Sequence, residues 1–248
     1  MAEDGLYLCQ KSTKNKFLNT LFFNDNHASG NSCFISDPLT KVICETHQSA
    51  IKVGFLKDWI EFCAVGFNGD IDISGDEDHI GGWAGSMVLT LPEGAMPDLN
   101  ISAGASYLPN IADSDGLEGE TPGTLRDPIG GFSAFFRVAF RDKFFFDAES
   151  VGATDEFAAG ELSFDGRNPS GPAAWNIEIA YAFAQGLALA AKYEGSDDLG
   201  DFQPESQFGV ALNYSLFEST SLIIEYLRGA YENDDKRDLL TTQIAIEY

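Results

Sequence analysis

The chain has 248 residues, enough for one large β domain or two small ones, and carries 15 Lys+Arg against 39 Asp+Glu, a formal charge of −24. That balance cannot neutralise a phosphate backbone, so nucleic acid is excluded as a partner. Mean hydropathy is −0.11 and no run of 18 apolar residues exists; this excludes a spanning helix but not a membrane crossed by strands, which are polar at alternate positions.

In chain order, residues 1–34 form a first region with one or two partial strands, at Gly5–Gln10 and Lys16–Phe23. It holds Cys9 and Cys33; Cys44 and Cys63 follow. None of the four has CxxC spacing or a paired histidine cluster, so no zinc is expected, and pairing is not readable from spacing. Met1–Leu6 shows no basic segment leading into an apolar one, the export signal that an outer-membrane protein requires. The chain then reads as a processed or truncated form, or else as a soluble protein.

Residues 35–248 read as one β domain. Period-2 segments fall at 48–57, 59–69, 81–92, 97–108, 130–141, 143–153, 173–184, 186–195, 205–216, 219–231 and 238–248. Trp175, Ile177, Ile179, Tyr181 and Phe183 share one face of their segment, and Asn176, Glu178, Ala180 and Ala182 the other. The same alternation runs through Phe132–Phe140 and Phe208–Leu216. Eleven strands result, and Lys16–Phe23 brings the total to twelve. Connections alternate strictly between short, such as Lys57-Asp58 and Arg141–Lys143, and long, at 70–80, 109–129, 154–172, 196–204 and 232–238. Tight turns at one end with long loops at the other distinguish an outer-membrane barrel from a sandwich. The last segment ends on Tyr248, an aromatic suited to a membrane interface and to recognition by the barrel-assembly machinery. The fold class is therefore all-β, an antiparallel transmembrane β-barrel of about 12 strands, sited in the bacterial outer membrane.

The five long loops hold 21 of the 39 acidic side chains and 4 of the 15 basic ones. Such carboxylates either bind cations that bridge to lipopolysaccharide, attract cationic solutes, or are simply solvated. On the face opposite the apolar stripe lie Arg137, Arg141, Asp147, Glu149, Glu178, Lys192 and Glu225. Buried dry, these charges are costly; lining a water-filled lumen, they set its selectivity, and in a narrow barrel they form a salt-bridged filling. Loop 109–129 is the longest, and its Asp113, Asp115, Glu118 and Glu120 are the candidates for a constriction. No catalytic motif is present: G-x-S-x-G, G-x-x-x-x-G-K and H-E-x-x-H are all missing, and His27, His47 and His79 have no acid or nucleophile beside them. Asp70–Gly75 opens like a calcium loop, but Gly81 replaces the twelfth-position glutamate. No enzyme, cofactor or metal is expected.

Ile35-Ser36-Asp37-Pro38-Leu39-Thr40, followed by Glu45-Thr46 and Ser49-Ala50, resembles the signature of LbtU-type siderophore porins of the outer membrane. Phe67–Asp70, Tyr107–Gly116, Gly160–Gly166 and Ala174–Glu178 are similar to further segments of that family, in the same order. The likeness covers Ile35 to Tyr248; Cys44, His47 and Gln48 depart from the signature. Family members carry a longer N-terminal part with a signal peptide and additional strands, so the chain resembles their C-terminal portion. The resemblance implies a porin-like channel for small solutes that takes up a ferric siderophore. The alternatives are a non-conducting structural barrel of the outer membrane and a soluble ligand-binding β-barrel.

Overall fold

Alternation of side chains along a strand forces a two-faced sheet, and the computed structural model shows which face meets what. It describes residues 5–11, 34–43, 45, 50–69, 71, 73, 82–92, 94–183, 186–217 and 219–246. Twelve strands form one sheet in simple chain order: β1 Gly5–Lys11, β2 Ala50–Lys57, β3 Ile60–Phe67, β4 Gly82–Thr90, β5 Leu99–Leu108, β6 Gly131–Phe140, β7 Phe144–Ala153, β8 Ala173–Ala182, β9 Leu187–Asp197, β10 Ser206–Phe217, β11 Thr220–Ala230 and β12 Lys236–Ile246. Every neighbouring pair is antiparallel. The eleven strands read from alternation are β2 to β12, each within a few residues of its expected bounds. The twelfth is the partial strand at Gly5, whereas Lys16–Phe23 lies outside the described residues. So do Tyr248, the three histidines, Cys33, Cys44 and most of the calcium-like loop. Among the described residues no ladder joins β1 to β12.

The short connections are two-residue or similarly tight turns. In β6–β7, Arg141 (φ 57°) and Asp142 (φ 51°) both lie in the left-handed region, and the Lys143 N–H donates to the Phe140 carbonyl at 3.2 Å. That is the primed turn whose twist matches a hairpin. Arg141, expected on the interior face, is therefore at the tip of a turn. Its side chain is exposed and its Nε lies 3.5 Å from Asp98 Oδ2 of the neighbouring β4–β5 connection. The strand ladder closes at the Phe140–Phe144 pair, so Arg141 lies beyond the alternation that fixes inward and outward sides.

The sheet curls so that one face lines an interior. Inward side chains of β2 to β5, β7 and β8, among them Val65, Phe67, Leu108, Val151 and Ala174, meet in a single buried cluster. The outward face is apolar: among the described residues, 31 large hydrophobic side chains are exposed against 14 buried ones. That inverts the distribution a water-soluble domain adopts. Aromatics concentrate at its two rims. Trp83, Tyr107, Phe132, Trp175, Tyr193 and Phe208 sit toward the long loops; Phe55, Trp59, Phe140, Phe144, Tyr181 and Phe183 sit toward the short turns. Trp175 packs edge-on against Tyr193, and Tyr181 against Phe183. Eight residues separate Phe132 from Phe140, roughly 26 Å along a strand, or about 20 Å once tilted.

Candidate functional site in the interior

The interior is built from rows of residues in register. One row crosses β6 to β9 as Arg137, Asp147, Glu178 and Lys192, each opposite the next. The row above runs Glu149, Asn176, Glu194, Gln207. Arg137 donates to Asp147. In the upper row Asn176 Nδ2 donates to Glu149 Oε1 at 3.2 Å, Gln207 Nε2 to Glu194 Oε2 at 2.8 Å, and Arg237 of β12 to Gln207 Oε1 at 2.9 Å. Lys192 Nζ lies 3.2 Å from Glu194 Oε2, with both side chains fully enclosed. Among the described residues, facing inward from β2 to β12 are six acids, Glu61, Asp147, Glu149, Glu178, Glu194 and Glu225, and four bases, Lys52, Arg137, Lys192 and Arg237. Buried carboxylates in excess of cations demand neutral hydrogen-bond donors.

Those donors come from a segment of the chain threaded through the interior. Between β1 and β2, residues Phe34–Ile43 enter as an extended piece followed by a single helical turn, α1 (Leu39–Val42). Glu225 accepts the Ile35 N–H at 2.8 Å, the Ser36 N–H at 3.0 Å and the Ser36 hydroxyl. Glu194 Oε1 accepts the Leu39 N–H at 3.0 Å, and Glu149 Oε1 the Thr40 hydroxyl at 2.6 Å. Pro38 precedes the helical turn and leaves the Leu39 N–H free of a helical partner, ready for a carboxylate. Lys192 stands 4.7 Å over the Phe34 ring and 3.4 Å from the Ser36 carbonyl. Phe34 fits because β10 has Gly209 at that point; a Cβ there would lie 2.9 Å from the ring. Below it, toward the short turns, the wall is Ala180, Ala190 and Ala211 with Phe145 alongside.

The long loops close over the other side of this segment. Ile111–Asp113 form a 3₁₀ turn and Asp115–Glu118 a helical turn, α2. Ile111, Leu117, Leu125, Phe157, Leu162 and Leu199 from three loops pack on Leu39 and Ile43, while Phe164 stacks on Phe202 at 5.5 Å. The Asp115 N–H donates to the Glu45 carbonyl at 2.8 Å, and Gly116 presses so close to Val42 that a Cβ would sit 1.9 Å from its carbonyl oxygen.

The residues singled out from the sequence thus fall in three places. Asp147, Glu149, Glu178, Lys192 and Glu225, with the half-buried Arg137, face the interior. Arg141 is in the turn described above. Two of the loop acids tie loops together, the buried Asp113 accepting the Ile71 N–H at 3.2 Å and Glu120 the Ser163 hydroxyl, while Asp115 is exposed and Glu118 half-buried. What narrows the interior is Phe34–Ile43, which alternation did not flag because the segment is not a strand. Glu194 was also missed, although its spacing two residues from Lys192 placed it on the same face.

No family model matches the chain. A UPF0422 protein of Coxiella burnetii (strain RSA 493 / Nine Mile phase I) is 24% identical over 205 residues, covering 79% of this chain and 43% of that protein. The chain thus spans less than half the length of that relative. Among solved structures, the outer membrane channel DcaP of Acinetobacter baumannii is similar at 15% identity and a TM-score of 0.46, over 80% of this chain and 62% of that one. The NanC porin is similar at 8% identity and a TM-score of 0.40, over 82% and 95%.

Proposed function

We propose that this chain is a membrane-embedded channel of the outer membrane for small solutes, and that its solute is a ferric siderophore. The observation that supports the channel reading is the inversion of the sheet: an uncovered apolar outer face with aromatic rims, and an interior lined by charge. The siderophore follows from the Ile35–Thr40 resemblance, whose residues are the ones that grip the interior wall. The acidic long loops would meet lipopolysaccharide through bridging cations, and the last strand would meet the assembly machinery. Purified in detergent, the protein should shift in mobility on gels when heated and give discrete current steps in planar bilayers. A deletion strain should lose ferric-siderophore uptake under iron limitation; normal uptake there defeats the solute assignment. A second reading, a non-conducting structural barrel, is favoured by the filled interior. Absence of current steps in reconstituted bilayers would select it.

A further inference from the structure

We propose that Phe34–Ile43 occupies the binding site of a cationic solute rich in N–H donors, and that such a solute displaces the segment from the wall. The proposal rests on the channel reading for the route by which the solute arrives. Every polar contact from the segment to the three gripping carboxylates is a neutral donor on an anionic acceptor: amides of Ile35 and Ser36 and the Ser36 hydroxyl on Glu225, the Leu39 amide on Glu194, the Thr40 hydroxyl on Glu149. An ammonium or guanidinium group makes the same contacts with charge added, and charge-assisted hydrogen bonds are roughly twice as strong. The six-to-four excess of inward acids supplies the net attraction.

A second observation points the same way independently. Glu149 Oε2 and Asn176 Oδ1 are both buried with no hydrogen-bond partner, and their residues stand opposite each other on β7 and β8. With Glu149 ionised, both atoms only accept. An occupant that satisfies them must bring donors, and an anion is turned away. The segment satisfies Glu149 through Oε1 alone and leaves this pair unused, so it is an incomplete occupant of its own site. Among the described residues its buried apolar anchors are Leu39 and Ile43, both on the loop side. The polar side is therefore the one that can exchange partners.

Hydrogen–deuterium exchange of the detergent-folded protein tests this, with spermidine as the probe. The amides of residues 34–43 should exchange about tenfold faster at saturating spermidine, and should not respond to citrate or to sodium chloride at equal ionic strength. In E225Q and E194Q the same amides should exchange faster before any addition, and the response to spermidine should shrink. Should those variants fail to fold, the comparison of spermidine with citrate on the unaltered protein decides alone. Unchanged or slowed exchange under spermidine, or equal acceleration by citrate, overturns the proposal. Bilayer currents recorded on the same preparation keep the two ideas apart: exchange that responds without any current defeats the channel and leaves the site, and current without the exchange response does the reverse.

Discussion

Replacing Ile177 by arginine tests which medium the outer face touches. Ile177 is the fifth of ten residues in β8, points outward and is 43% exposed. Trp175 lies two residues toward the long loops and Tyr181 four toward the short turns. At about 3.3 Å per residue and a tilt near 40°, Ile177 sits roughly 10 Å above Tyr181, near the middle of the apolar band. In lipid an arginine there costs about 2–4 kcal/mol, falling to about 0–1 kcal/mol at the interface. On a water-facing surface the same substitution changes stability by about 0.5 kcal/mol or less. Urea titration of the protein folded into lipid vesicles should therefore show I177R strongly destabilised and Y181R far less so. Equal, small effects at both positions would refute the membrane reading of the outer face.

Four further outcomes follow from the interior and its loops. G116A drives a methyl into the Val42 carbonyl at 1.9 Å, and should cost about 1–3 kcal/mol while speeding exchange at α1. F157A empties a fully buried position in the loop cluster; denaturation should show a loss of about 3–5 kcal/mol, with protease cleavage appearing in 109–130. K192Q makes the interior more acidic by one charge, so the reversal potential in a salt gradient should move toward cation selectivity; no shift would count against an ion path past Lys192. Asp165, in loop 154–172, is slightly desolvated, which raises its pKa, but N–H donors from Arg167, Gly160, Leu162 and Glu161 outweigh this and hold it below the ordinary carboxylate range. Its contribution to loop order is present above the unfolded value and lost as pH falls through the lower folded one. Loop exchange should stay slow at pH 5 and rise only under strong acid, and D165N should abolish that dependence.

The strands were legible because a curled sheet with unlike media on its two faces writes a period of two into each segment. In β8, Trp175 to Tyr181 and Asn176 to Ala180 alternate without a break, and the bounds could be read to within two residues. Turn chemistry is local and carries no such period, so Arg141 looked like the next inward residue after Arg137 and Ala139. It is in fact the first residue of a turn whose two central positions both need positive φ.

Phe34–Ile43 was illegible for a different reason. Its path is fixed by contacts to residues 109 to 190 positions away, such as Thr40 to Glu149 and Ile35 to Glu225, and no local pattern encodes a partner at that distance. A signal of another kind was available. Counting inward positions from the strand register gives six acids and four bases, and buried carboxylates in excess of cations must find N–H or O–H groups. Strand amides are consumed by the ladder, so the donors must come from chain outside the strands. A proline-preceded turn whose amides lie outside the sheet ladder, with two hydroxyls, Ser36 to Thr40, is the composition that meets that demand. Charge imbalance on the inner face thus predicts a donor-rich filler, whether a piece of chain or a cationic solute, and the two compete for the same oxygens.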